Sequence, residues 1–67
     1  MKEYHVYARL KKDSEIQFIA DNFDVAIQCM ARCSHLAHKW KDCTEVYIIE
    51  YDPDAHEVGK IIEQEVL

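Results

Sequence analysis

The feature that most constrains the fold of this chain is its changing hydrophobic period, from two residues to between three and four and back to two. In the stretch EYHVYARL, the residues from Tyr4 to Leu10 alternate between two faces, which predicts a half-buried β-strand. After the polar stretch KKDSE, the residues IQFIAD continue the alternation and predict a second strand. The two strands are short and adjacent, so we expect them to form an antiparallel hairpin.

The register of this hairpin follows from the requirement that the apolar residues of both strands share one face. We take residues 11–15 as the loop. The predicted pairs on the apolar face are Leu10 with Ile16, Ala8 with Phe18, and Val6 with Ala20. On the opposite face, the predicted neighbours are His5 with Asp21 and Tyr7 with Ile19.

The middle of the chain has a helical period. Asn22 or Asp21 is expected to cap the first free N–H groups, and Asp24 suits the positive end of the helix dipole. Apolar or small residues then recur at steps of three and four, which places them on one helix face. This stripe consists of Phe23, Ala26, Ile27, Met30, Cys33, Ser34, Ala37 and Trp40. We expect it to pack against the apolar face of the first hairpin.

The last third of the chain returns to strand patterns. TEVYIIEY is rich in β-branched and aromatic residues, DPDA is typical of a turn, and EVGKIIEQEVL predicts a final strand. Chain direction makes the third strand antiparallel to the first. The sequence therefore predicts one small α+β domain over residues 1–67, of ββαββ order. Its four-stranded antiparallel sheet has the order 2-1-3-4, and the helix packs on one face.

One helix can cover only one face of such a sheet, so the other face is expected to be open. We expect Val46, Ile48 and Ile61 to lie under the helix. The residues expected on the open face are Tyr7, Ile19, Tyr47, Ile49, Tyr51, Val58 and Ile62. Exposed apolar patches containing tyrosine are typical of protein contacts. The alternative is that single exposed apolar residues are ordinary on a small domain.

Charge is unevenly distributed along the chain, whose total is −5. Residues 1–41 carry seven basic and five acidic side chains, whereas residues 42–67 carry one basic and eight acidic ones. An acidic half repels phosphate and disfavours direct nucleic-acid binding. It favours a basic protein partner, so the predicted contact set also includes Glu50, Asp52, Asp54 and Glu57. The alternative is a solubilising surface.

The stretch from Cys29 to Cys43, CMARCSHLAHKWKDC, raises the question of a metal or thiol site. It lacks a CxxC pair, and one helix cannot wrap four ligands around zinc. We therefore expect the three cysteines to be small core residues. The alternative is a small metal-binding or redox protein using Cys29, Cys33 and Cys43. The sequence also lacks the GxSxG and HExxH motifs and a glycine-rich phosphate loop, so no catalytic residue, metal or cofactor is predicted.

The expected location is the cytoplasm of a bacterial or host cell. No run of about 18 apolar residues occurs, so we expect no membrane span. The N-terminal residues lack the apolar run of a secretory signal, and an odd number of cysteines does not suggest a secreted disulfide framework.

The stretches EIQFIADNFDVAI and TEVYIIEYDPDAHEVGKI resemble the ββαββ pattern of small phage and mobile-element proteins, some of which are anti-CRISPR inhibitors. The resemblance covers most of the chain and concerns size and element order, so it transfers no functional residue. It implies stoichiometric binding to a host protein. The predicted function is therefore a non-catalytic interaction domain, an inhibitor or adaptor of the phage type. It would bind through the open face and the acidic C-terminal hairpin. The alternative is a homodimer that self-associates through the open face.

Overall fold

The structure, a computed structural model, describes residues 2–37, 39, 42–55 and 59–67. This part of the chain forms β1 (Glu3–Leu10), β2 (Ser14–Ala20), α1 (Phe23–Ala37), β3 (Cys43–Tyr51) and β4 (Lys60–Val66). Neighbouring strands are antiparallel, and their order is β2-β1-β3-β4. The predicted α+β fold, the strand order and the helix packed on the sheet are confirmed. Within the described residues, the structure contains no helix with the length and apolar character needed to cross a membrane.

The helix begins with a side-chain cap. The Oδ1 atom of Asn22 accepts hydrogen bonds from the N–H groups of Asp24 at 2.8 Å and Val25 at 3.3 Å. Its carbonyl oxygen accepts the first helical bond from the N–H of Ala26, at 3.1 Å. Of the two predicted caps, Asn22 is therefore the one used, and it satisfies N–H groups that have no partner within the helix.

The helix packs on the sheet through the predicted stripe. Ala26, Ser34 and Ala37 are buried, and Met30 is partly buried at the margin of the same cluster. On the sheet, the fully buried side chains are Val6, Ala8, Val46 and Ile48. Other partly buried hydrophobic residues pack against this core: Tyr4, Leu10, Phe23, Ile27, Cys29, Cys33 and Ile62. The predicted helix face is confirmed over residues 23–37, and Trp40 lies outside the described residues.

The predicted register of the first hairpin is wrong by two residues. Val6 pairs with Phe18 and Tyr4 with Ala20, instead of Ala8 with Phe18 and Val6 with Ala20. The loop is shorter than predicted, since β2 already begins at Ser14. The N–H of Leu10 donates a hydrogen bond to the carbonyl of Asp13 at 2.7 Å and closes this tight loop.

An irregularity in β2 explains why the alternating pattern predicts the wrong face for Ile16. The pairing skips Gln17, so Ile16 lies opposite Tyr7 while Phe18 lies opposite Val6. An inserted residue reverses the alternation of side chains on one side of the bulge. Ile16 therefore lies on the face opposite the helix, rather than beside Leu10 as predicted. The same register places His5 opposite Ile19 and not near Asp21, and it places Tyr7 opposite Ile16 instead of Ile19.

A second irregularity, in β4, reverses the predicted faces of two isoleucines. Val46 and Ile48 lie under the helix as expected, and Ile49 pairs with Ile61 on the opposite face. The pairing skips Ile62, which packs against the core instead. The prediction that Ile61 lies inward and Ile62 outward is therefore wrong.

The connection between β3 and β4 starts with the predicted turn. The carboxylate of Asp52 accepts a hydrogen bond from the N–H of Asp54 at 3.0 Å, and its carbonyl accepts one from Ala55 at 3.2 Å. Further along, Gly59 passes close to β3. A methyl group on Gly59 would overlap Cγ2 of Ile49 and come within 3.1 Å of the Glu50 carbonyl oxygen.

Candidate protein-interaction surface

The sheet surface opposite the helix, which we call the open face, is defined by the strand register. Paired residues share a face, so the members can be read from the three ladders. They are Glu3, His5, Tyr7 and Arg9 from β1; Ser14, Ile16 and Ile19 from β2; Glu45, Tyr47, Ile49 and Tyr51 from β3; and Ile61, Gln64 and Val66 from β4. Most of these side chains are apolar or aromatic.

A hydrogen-bonded network joins three strands at one end of the open face. The Nε of Arg9 donates to Oε1 of Glu45 at 2.8 Å, and the Gln64 amide donates to the other carboxylate oxygen. Glu45 is only 7% exposed. A buried carboxylate is tolerated only when its oxygens have partners, and here β1 and β4 each supply one.

Aromatic rings fill the middle of the open face. The rings of Tyr7 and Tyr47 are stacked, with centroids 5.4 Å apart and planes 9° from parallel. The guanidinium of Arg9 lies 5.2 Å from the centroid of Tyr47 on the network side. These neighbours leave Tyr47 only 5% exposed. The centre of the open face is therefore a small second cluster in which the ring of Tyr47 is covered and that of Tyr7 is partly buried.

His5 continues this row toward the other end of the strands. Its ring lies 6.4 Å from that of Tyr7 and 5.7 Å from that of Tyr51, and its Nε2 lies 3.0 Å from the Glu3 carboxylate. The histidine is half-buried among aromatic rings and beside one acid.

The exposed apolar area of the open face lies on its two edge strands. Ile16 and Ile19 on β2, and Ile61 and Val66 on β4, each have more than two fifths of their surface accessible. These four residues flank the aromatic centre on both sides. Burying such side chains stabilises an association by about 25 cal/mol per Å² of apolar area removed from water.

The predicted contact residues separate into three groups. Tyr7, Ile19, Ile49 and Tyr51 lie on the open face, with Ile19 the most exposed of them, at 55%. Tyr47 lies on the same face, but its ring is covered and offers little surface.

The predicted acidic contacts lie elsewhere. Glu50 is on the helix side, where it pairs with Lys2 at 3.3 Å, and this contact raises the pKa of the lysine. Asp52 and Asp54 lie in the turn after β3. Glu57 and Val58 lie outside the described residues.

The hydrophobic pattern does not predict the polar network of Arg9, Glu45 and Gln64. Of the four exposed aliphatic residues it predicts only Ile19 on the open face. The network could have been found by extending the antiparallel pairing of β1 with β3, because Val6 opposite Ile48 brings Arg9 opposite Glu45. The position of Ile16 depends on the bulge and has no comparable signal.

A shallow depression of about 280 Å³ borders the network and is lined by Arg9, Thr44, Glu45, Gln64 and Val66. Within its lining, the carboxylate of Glu45 accepts hydrogen bonds from the side chains of Arg9 and Gln64. The hydroxyl of Thr44 donates to the Arg9 carbonyl at 3.3 Å. These groups therefore serve mainly to join strands, and the depression is better suited to packing than to orienting a ligand.

The three cysteines belong to the helix side. Cys29 and Cys33 are partly buried on α1, and Cys43 is buried at the start of β3. Burial, followed by the neighbouring thiols of Cys29 and Cys43, raises the pKa of the Cys33 thiol. Among the described residues, no group of three or more histidine, cysteine or acidic side chains is arranged to hold a metal ion.

Comparison of the chain with protein-family models, with curated proteins and with solved structures finds no match.

Proposed function

We propose that this protein is a non-catalytic interaction domain that binds another protein through the open face. The observation that carries the proposal is the exposure of four large aliphatic side chains on that face, on both sides of an aromatic centre. An apolar surface of this kind, containing tyrosines and rimmed by polar groups, is characteristic of protein contacts.

The proposed role is that of a stoichiometric inhibitor or adaptor in the cytoplasm of a bacterial or host cell. The resemblance to small phage and mobile-element proteins of the anti-CRISPR type supports this role at the level of architecture. The acidic turn after β3, with Asp52 and Asp54, is the proposed second contact and suits a basic partner.

A metal-binding or redox role for the cysteines has weaker support. Reactive cysteines have lowered thiol pKa values, because the thiolate is the nucleophile and the metal ligand. The raised pKa of Cys33 is the opposite of that pattern. Its partial burial beside the core agrees better with packing.

The test compares three baits in lysate of the cells that encode the protein: wild type, Ile19→Glu and Val25→Glu. Ile19 is on the open face, whereas Val25 is 41% exposed on the helix and serves as the matched control. We expect one protein to be retained by wild type and by Val25→Glu but not by Ile19→Glu. Equal retention by all three folded baits, or by none, would refute binding through the open face.

A further inference from the structure

We infer that the occupant of the open face is a second copy of this chain, packed sheet against sheet about a two-fold axis. The inference rests on the proposed binding of a protein through the open face, and it names a second copy as that protein instead of a host protein. Three observations support it: the charge of the face, the distribution of its exposed residues and its size.

The first observation is that the open face is nearly free of net charge on an acidic chain. Of the charged side chains in the described strands, those on this face are Glu3, Arg9 and Glu45. Arg9 and Glu45 form an ion pair at 2.8 Å, and Glu3 lies 3.0 Å from His5.

The rest of the strand charge lies on the helix side. Glu15, Glu50, Lys60, Glu63 and Glu65 point there according to the register of their strands. Two chains of net charge −5 repel each other, and they approach at the lowest electrostatic cost through faces that carry little net charge. A strongly basic partner would find little complementary charge on the open face and much more on the other side.

The second observation is that the exposed aliphatic residues make the face self-complementary. Ile16 and Ile19 lie on one edge strand, and Ile61 and Val66 lie on the other. A two-fold axis in the plane between two sheets places β2 over either β2 or β4 of the second copy. In both cases an aliphatic edge meets an aliphatic edge and the aromatic centres face each other, as an isologous interface requires.

The third observation concerns size. Four strands about 4.8 Å apart, each with about eight residues rising about 3.3 Å, make a face of roughly 500 Å². Two such faces bury roughly 1,000 Å² in total, which is at the lower limit for a specific interface. The area therefore favours a reversible dimer that forms as concentration rises. It does not favour an obligate dimer, which usually buries twice as much or more.

The experiment measures the mass of the purified full chain by sedimentation equilibrium across the micromolar range, for wild type and three variants. Ile19→Glu places a charge on the open face, and Val25→Glu places the same charge on the exposed side of the helix. Phe18→Glu changes the neighbouring residue of β2, whose exposed side chain lies on the helix side of the same edge. Circular dichroism verifies that each variant is folded.

We expect wild type and Val25→Glu to approach the mass of two chains with rising concentration, while Ile19→Glu keeps the mass of one chain. Phe18→Glu should dimerise like wild type, because its side chain lies on the helix side and outside the proposed interface. A dimer formed by pairing of two β2 edges would instead be weakened by both Ile19→Glu and Phe18→Glu. Added salt should strengthen the dimer, because it screens the repulsion between two acidic chains.

Three results would overturn the inference. They are a wild-type chain that stays monomeric throughout the range, an Ile19→Glu variant that dimerises as wild type does, and a dimer that dissociates on addition of salt. A monomer that still retains another protein through the open face would overturn the dimer and leave the proposed function standing. A monomer that retains nothing through that face would overturn both.

Discussion

The ion pair between Arg9 and Glu45 should contribute measurably to folding, although one of its partners is half exposed. Arg9 has 49% of its side chain accessible, whereas Glu45 has 9%. A hydrogen bond to a charged group contributes about 1.5–3 kcal/mol, and an exposed ion pair about 0.2–1 kcal/mol. The half-buried geometry lies between these limits. We therefore expect a coupling energy of about 1 kcal/mol between the two side chains.

The measurement is a double-mutant cycle of Arg9→Ala, Glu45→Ala and the double variant, with free energies of unfolding taken from urea titration. Lys11 and Asp42 provide the control cycle. Their charged atoms are 3.6 Å apart, and both side chains are more than two thirds exposed, so their coupling should be no more than about 0.5 kcal/mol. Equal coupling in the two cycles would refute the view that burial of Glu45 makes its ion pair stronger.

Three further predictions concern single positions. Asn22→Ala should lower the free energy of unfolding by about 1 kcal/mol because the helix loses its cap, whereas Asn22→Asp should keep most of the stability. Gly59→Ala should cost about 1–3 kcal/mol by urea titration, and less when combined with Ile49→Ala, which removes the overlapping methyl group. If the two costs simply add, the close approach of Gly59 to β3 is wrong. The raised pKa of Cys33 predicts slow alkylation at neutral pH, with stability constant up to about pH 9 and falling above it, because the folded state holds the thiol proton more tightly. Peptide mass spectrometry after timed alkylation measures this rate, and labelling of Cys33 as fast as in the unfolded chain would contradict the prediction.

The sequence correctly predicts the parts of the fold in which the hydrophobic period continues without interruption. The stripe from Phe23 to Ala37 identified the buried helix face, and the alternation in β3 placed Val46 and Ile48 inward. Strand order followed from chain direction, because a helix between two hairpins returns the chain beside β1. These features depend on many residues at once, so one irregular position does not change them.

The errors over Ile16, Ile61 and Ile62 occur where an edge strand contains one extra residue, whereas the two-residue register error in the first hairpin follows from its shorter loop. The bulge at Gln17 moved Ile16 to the open face, and the irregularity at Ile62 exchanged that residue with Ile61. A bulge costs little when it lies in an edge strand, since only one ladder is disturbed. The irregularities at Gln17 and Ile62 are both in edge strands. The neighbours of Gln17 are isoleucine and phenylalanine, those of Ile62 are isoleucine and glutamate, and no glycine marks either position. A reading of alternation alone cannot detect such a change.

The bulges also determine what the open face presents to a partner. With strict alternation, Ile16 would have been buried with Leu10, and Ile61 would have packed under the helix. The open face would then have kept Ile19, Ile62 and Val66 among the described residues at its edges. The irregularity in β2 adds Ile16 to this face, and the one in β4 replaces Ile62 with Ile61.

The same face holds a covered centre, where Tyr47 and Glu45 find partners within the chain. The centre allows the monomer to remain folded with one sheet face in water, while the aliphatic edges leave apolar area that association can still bury. Changes at Ile16 or Ile61 should therefore weaken binding with little loss of stability, whereas changes at Tyr47 should do the reverse.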